Sequence, residues 1–425
     1  MLLPVPYSVD RKLAAAPYVS YALAAVNVVI YLVCIAIGAE AYREFVYWGG
    51  VIAGDLKAHA LFTMHFIHDA PSPMHVAGNL LFLLLFGRHV EDAIGRVWFV
   101  LVYVLGGVAA AMIQTLSIFL FDRAGMDAPL IGASGAIAAL MGVFAVRFYR
   151  TSIKVFYMVG IWPIFGRAGV WRPTSLLALG LWGGWELVQA LFALGVSDVQ
   201  EAGGVAHWAH LGGLVFGAVI AMGAGMHRHA QEMYTLKDAY EFFRNGQMKK
   251  SADCFSALLR ETPDDPNMRH KLAVAFDLSQ HHARALPQYV KAIELYAGRG
   301  NVADAARIFG QVGGDRWVAQ RLDAEVSWLI GDYLAERGRT AEAYAAFAAL
   351  AGSQPGKPAA ENAAVRCGDL LLTRLNQPAR AIEWYRGVRD RGKDQENVTR
   401  ATRGLVDAER AAARLRAAQP PAPRA

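Results

Sequence analysis

Up to about residue 226 the chain is a succession of long apolar runs joined by short polar connections. Beyond that point long uncharged runs are scarce, Lys, Arg, Asp and Glu crowd the chain, and the sequence becomes alanine-rich. The runs fall at roughly 17–38, 74–87, 97–120, 130–148, 173–195 and 204–226. About 20 apolar residues cross the hydrocarbon at 1.5 Å per residue, so six membrane-spanning helices are expected, the second of them short and the fifth carrying Glu186. The stretch 155–166 is apolar but short and contains Pro163, which predicts a segment lying at the interface. The later 3.6-residue periodicity predicts amphipathic helices. The expected fold class is all-α: a six-transmembrane-helix bundle over 17–226, preceded by a short segment 1–16, followed by a soluble helical domain over 227–416 and a disordered tail 417–425 ("AAQPPAPRA").

Composition agrees with a membrane location: 55% of residues are hydrophobic and 18% charged, and the mean hydropathy is +0.26. The net charge of +6 does not require nucleic acid, because many of the basic residues sit in connections between apolar runs. One set of connections holds Arg11, Lys12, Arg88, Arg96, Arg147, Arg150, Lys154, Arg167, Arg172 and Arg228; the other holds Arg43, Lys57 and Arg123. By the positive-inside rule both termini are expected in the cytoplasm. The first run lacks a small-residue cleavage site and is longer than a signal-peptide core, so it reads as an uncleaved span. Cys34, Cys254 and Cys367 have no metal-site spacing and suggest no disulfide framework. No metal and no cofactor is expected.

With this orientation the second, fourth and sixth spans all run inward from the outer side, so their first turns share one depth. Those turns carry His75 and Asn79, Ser134, and His207 and His210. Polar groups in hydrocarbon are costly and face a bundle interior or a wet cavity. A serine hydroxyl needs a positioned base to become a nucleophile, and histidine is the usual one. Ser134 and His210 are the candidate pair. Gly135, Ala138, Ala139 and Gly142 on the fourth span, and the Gly213/Gly217 GxxxG on the sixth, permit the close helix approach the pair requires. His75 and Asn79, four apart on one helix face, are candidate donors to an oxyanion together with the Ser134 N–H. Gly132 and Gly135 let backbone come close. Each signal alone is weak, since a serine in an apolar helix commonly bonds back to a carbonyl and GxxxG is common packing; the combination is the argument.

The segments "HVAGN", "GASG" and "AHLGGLVFG", in that order on the second, fourth and sixth runs, resemble the rhomboid family of intramembrane serine proteases over about residues 17–226. The resemblance implies that Ser134 is the nucleophile and His210 the base, and that His75 and Asn79 serve the oxyanion. It implies a dyad without an acidic third member and peptide-bond cleavage in or beside a substrate's transmembrane segment, at helix-weakening sequences with a small residue at the cut. The chain departs from the pattern in three places. His59 and Ala60 stand where many relatives carry Trp-Arg, Ala138 stands where some place a tyrosine four residues after the serine, and the connection between His68 and His75 is about two residues longer. Glu186, in mid-membrane where relatives often have an amide, reads as either a hydrogen-bonded neutral acid or a cavity residue, and His207 reads as a cavity or interface residue.

In the second half a small residue, an aromatic four later and an apolar residue seven later recur as Ser251/Phe255/Leu258, Ala285/Tyr289/Ala292, Ala305/Phe309/Val312, Ala343/Phe347/Leu350 and Ala381/Tyr385/Val388. The first offset, 285 − 251 = 34, resembles tetratricopeptide repeats; later offsets of 20 and 38 are irregular. An unrelated helical bundle is the other reading. Such repeats imply a cytoplasmic protein or peptide partner. The expected function is therefore a multi-pass, bacterial inner-membrane serine endopeptidase acting on transmembrane proteins in the bilayer. The alternatives are a non-catalytic rhomboid-like scaffold or a small transporter with a regulatory domain, the latter weakened by the absence of a visible repeat between the membrane halves.

Overall fold

A computed structural model describes residues 4–121, 123–159, 167–193, 206–312, 316–353 and 355–417. Pro163 and the tail beyond Ala417 lie outside the described residues. The chain divides into two compact units, Met1–Tyr234 and Thr235–Ala425. The division falls inside a helix, a little beyond the boundary at 227 that composition suggests.

The first unit contains, in chain order, β1 (Val5–Val9), α1 (Tyr18–Ala36), α2 (Ala39–Gly49), β2 (Val51–Ile52), α3 (Ala60–Thr63), α4 (Pro73–Phe82), α5 (Arg88–Ile94), α6 (Arg96–Phe121), β3 (Pro129–Leu130), α7 (Ser134–Arg147), β4 (Ile153–Val159), β5 (Arg167–Trp171), α8 (Ser175–Ala193), α9 (His207–Gly223) and the start of α10 (Met226–Arg244). Among the described residues, α1, α6 and α8 are each long and apolar enough to cross a membrane, and α9 qualifies only jointly with α10. The runs expected to form the second and fourth spans are shorter as helices. α4 has 10 residues and continues through a π-type turn, Leu83–Gly87, into α5. α7 has 14 residues, about 21 Å against a hydrocarbon core of about 30 Å.

These helices are built inside out. α1 turns Ser20 and Asn27 inward while Val29, Leu32 and Val33 are exposed; α8 and α9 expose Trp185, Phe192, Val215 and Val219. Large apolar side chains pointing outward from several long helices form the surface a lipid environment accepts and water does not. α7 is the opposite case. Every residue from Gly135 to Phe144 is buried, the signature of a helix enclosed on all sides.

Two sets of contacts lie at the N-terminal end of α1. The carboxylate of Glu91, on α5, accepts from the Val19 N–H at 3.0 Å, the Ser20 N–H at 2.8 Å and the Ser20 hydroxyl at 2.8 Å, satisfying first-turn donors that have no partner in the helix itself. Asp92 accepts from the Ala14 and Ala15 N–H groups and pairs with Arg11 at 2.8 Å.

The all-α expectation requires one correction. Residues 153–159, expected at the interface as part of an apolar segment, form β4, which pairs antiparallel with β5 and with β1 from the N-terminal segment, in the order β1-β4-β5. "IKVFYMV" is rich in β-branched and aromatic residues, which suit a pleated surface. β2 and β3 form a second small antiparallel pair.

The second unit begins within α10 and continues through α11 (Met248–Glu261), α12 (Pro266–Leu278), α13 (His282–Gly298), α14 (Val302–Val312), α15 (Arg316–Arg321), α16 (Ala324–Glu336), α17 (Thr340–Ser353), α18 (Pro358–Thr373), α19 (Pro378–Arg391) and α20 (Gln395–Ala417). From α11 to α14 and from α16 to α20 each helix packs on the next in sequence, and all five small/aromatic/apolar triads are buried. Five residues before the small position of each triad stands a residue with positive φ: Gly246, Gln280, Gly300, Gly338 and Asn376, with φ of 72°, 61°, 75°, 73° and 51°. The turns thus recur in the same register as the triads, although the repeat lengths differ. The aromatic positions occupy room left by missing side chains: a Cβ on Gly331 would lie 2.6 Å from the Phe347 ring, and Tyr385 sits equally close to Gly368 and Gly404.

Candidate active site

The motif around Ser134 begins with backbone. Gly132 has φ +115°, a conformation glycine adopts freely and other residues rarely do, and its N–H donates to the Met64 carbonyl at 2.9 Å. This turn delivers Ser134 as the first residue of α7, where first-turn N–H groups have no partner within the helix.

Ser134 borders a cavity of about 670 Å³, lined also by His75, Asn79, His210, Glu186 and Trp182. Four of the candidate site residues therefore face one space. His75 Nδ1 accepts from the Asp69 N–H at 3.3 Å, so in the neutral ring the proton resides on Nε2. That nitrogen lies over Gly132, 2.8 Å from where a Cβ would be, and the Asn79 amide nitrogen is 3.8 Å from the same point. The Asn79 Nδ2 is buried and finds no acceptor among the described residues. Two N–H donors thus lie beside Gly132, two residues before the serine.

The longer connection before α4 is folded onto its neighbours. Tyr42 donates its hydroxyl proton to the His68 carbonyl at 3.1 Å and accepts from the Ala70 N–H at 3.1 Å, while the Tyr31 hydroxyl donates to the Ala70 carbonyl. These bonds hold the Asp69 N–H that fixes the His75 tautomer. The other loop departure is accommodated as well: the His59 ring stacks on Trp48, with Nε2 2.8 Å from the Trp48 carbonyl, and the Thr63 hydroxyl donates to the Gly49 carbonyl at 2.7 Å.

α7 and α9 approach so closely that glycine is obligatory. A Cβ on Gly213 would lie 2.2 Å from the Gly135 carbonyl oxygen, one on Gly217 1.8 Å from that of Ala139, and one on Gly142 2.1 Å from that of Leu214. Gly135 acts differently from the expectation: its own missing side chain makes room for Ala110 of α6, at 2.6 Å, while its carbonyl faces Gly213.

The sequence marked Glu186 as a hydrogen-bonded acid or a cavity residue, but not as the residue that meets the histidines. Glu186 Oε2 is 2.9 Å from His210 Nδ1 and 2.8 Å from His207 Nδ1. Facing a carboxylate, each Nδ1 carries a proton and donates it, which leaves His210 Nε2 as the free acceptor. Trp182, one turn before Glu186, places its ring 5.9 Å from that of His210. A tyrosine on α7 is therefore not needed to steady the base; α8 supplies both supports, and Ala138 is fully buried against Gly213. The available signal was Glu186 itself, a charge in an apolar helix. His207 does not line the cavity; it meets Glu186 through Nδ1 and lies edge-on to the His210 ring at 6.4 Å.

No curated protein matches the chain. Residues 55–227, which carry Ser134, His210, His75, Asn79 and Glu186, match the family model of the Rhomboid domain, which supports the rhomboid resemblance over that segment.

Proposed function

We propose that the protein is an intramembrane serine endopeptidase that cleaves peptide bonds in or beside the transmembrane segments of other membrane proteins. The observation that carries this reading is the state of His210: its Nδ1–H is committed to Glu186, and its ring borders the cavity that holds Ser134. In this reading His210 Nε2 takes the Ser134 proton as Oγ attacks the scissile carbonyl. The oxyanion is held by the Ser134 N–H, His75 Nε2–H and the Asn79 amide. His210 then protonates the leaving amine, and water enters by the same base to release the acyl group. Glu186 is a positioning residue: it fixes the tautomer and stabilises the imidazolium that forms.

The six apolar runs are six crossings, with both termini in the cytoplasm and the cavity opening on the outer side. The short α7 supports this topology: it leaves room at one end for an aqueous cavity, and Ser134 is at that end. The second unit is a tetratricopeptide-like stack that engages a cytoplasmic partner, supported by the shared register of its buried triads and left-handed turns. The non-catalytic scaffold is the rival, and it has no need for the paired donors over Gly132.

Ser134→Ala and His210→Ala are each expected to abolish cleavage of a transmembrane substrate reconstituted in vesicles while the protein stays folded. Cleavage surviving Ser134→Ala refutes the protease reading.

A further inference from the structure

We propose that Glu186, His207 and His210 form a site for a divalent transition-metal ion, represented by Zn²⁺, and that its occupation turns the catalytic base off. The inference rests on the protease reading for its consequence, but the site itself does not.

A positioning carboxylate needs one histidine, and here two converge on a single oxygen. His207 and His210 are three apart in the first turn of α9, so both rings lie on one side and meet Glu186 from α8. One ligand atom from each of the three residues lies within 4.8 Å of the others, and the two Nδ1-to-Oε2 separations are 2.8 and 2.9 Å. Bonds of about 2.0–2.2 Å to zinc place tetrahedral ligands roughly 3.3–3.5 Å apart, so seating an ion asks each histidine–carboxylate pair to open by only about half an ångström. Two imidazoles and a carboxylate, with a fourth position left for water, are a donor set that suits zinc; Mg²⁺ and Ca²⁺ prefer oxygen ligands throughout. Glu186 and His210 border the cavity, which provides a route for the ion.

The consequence follows from bookkeeping on the imidazole ring. In the metal-free site His210 Nδ1 carries the proton and Nε2 is the free base. A metal takes the Nδ1 lone pair, so that nitrogen must give up its proton, and the neutral ring then carries it on Nε2. Each histidine's proton moves from Nδ1 to Nε2 through solvent and no net proton is lost. With Nε2 protonated, His210 cannot accept from Ser134. The ion thus inhibits without touching the serine and without blocking the cavity.

The test uses the full chain. Co²⁺ added to the Ser134→Ala protein is expected to develop the visible absorption of a tetrahedral N/O site, and Zn²⁺ is expected to bleach it. In the wild-type protein Zn²⁺ is expected to suppress both cleavage and serine labelling, with chelation restoring them and Mg²⁺ inert. His207→Gln, compared with its own metal-free activity, is expected to raise the half-inhibiting Zn²⁺ concentration by at least about tenfold, the lower end of what even an outer-shell change costs a metal site. An active enzyme showing no Co²⁺ spectrum overturns the proposal, as does inhibition undiminished by His207→Gln. A Co²⁺ spectrum in a chain that never cleaves or labels upholds the metal site and overturns both the protease reading and the switch.

Discussion

Gly132, His75 and Asn79 form a small device in which backbone and two side chains depend on one another. A methyl at position 132 would lie 2.8 Å from His75 Nε2 and would force a strained φ, so Gly132→Ala is expected to displace the donor and reduce kcat by a factor comparable to losing it. Asn79→Ala removes one donor directly and is expected to cost about 100- to 1,000-fold in kcat with little change in KM; an unchanged kcat in a cleavage assay would remove Asn79 from the site. Ser134, His210, His75 and Asn79, which border one cavity, could be picked out as candidates in the sequence because each is a polar residue in the first turn of an apolar run. The role of Glu186 could not, because it depends on α8 meeting α9, a contact between residues 24 positions apart. What the sequence offered was only the cost of placing a carboxylate in an apolar helix, which says that a partner exists without saying which.

The contact between α7 and α9 is set by carbonyl oxygens resting where side chains are absent. Gly217→Ala is expected to push the helices apart, destabilising the bundle by about 1–3 kcal/mol and abolishing fluorophosphonate labelling of Ser134 along with cleavage; full labelling in an inactive Gly217→Ala protein would place the defect elsewhere. Helix existence and the glycine seam could be read from the pattern, whereas the three-stranded sheet that takes in part of 155–166 could not: β5 follows β4 closely, but the other partner strand, Val5–Val9, lies far away in sequence. In the second unit the turn at Gly300 has open space around it but φ of +75°, so Gly300→Ala is expected to cost about 1–2 kcal/mol through backbone strain alone, read as faster hydrogen exchange in α13 and α14. His270, buried beside Tyr289 with Nε2 3.1 Å from Gln311, is held by that burial below the ordinary histidine range. Since the unfolded chain then binds the proton first, the second unit is expected to keep its full stability above pH of about 6.5 and lose it progressively below. Thermal unfolding against pH checks this, with His270→Gln flattening the slope.

The two units follow the division in composition, though not at the same residue. All the residues of the cavity precede the boundary at Tyr234, but the first unit does not end where hydropathy ends. The Tyr234 hydroxyl is 2.9 Å from Thr151 Oγ1, its ring meets Tyr149 at 5.0 Å, and Ala230 is fully buried. A chain ending at Arg244 is therefore expected to cleave a detergent-solubilised substrate at the full-length rate, and one ending at Arg228 to be less thermally stable; an Arg244-terminated protein that folds but cannot be labelled would make the second unit part of the enzyme. The triads were visible in the sequence, while their irregular spacing hid the constant offset to a left-handed turn residue that the structure shows. The central claim is that Ser134 is a nucleophile activated by His210, and a fluorophosphonate probe reads it directly in the intact protein in bilayers. Stoichiometric labelling of Ser134, lost in Ser134→Ala and in His210→Ala while both variants remain folded, is the expected result. A folded wild-type protein that does not label, or one that labels as fast without His210, contradicts the claim.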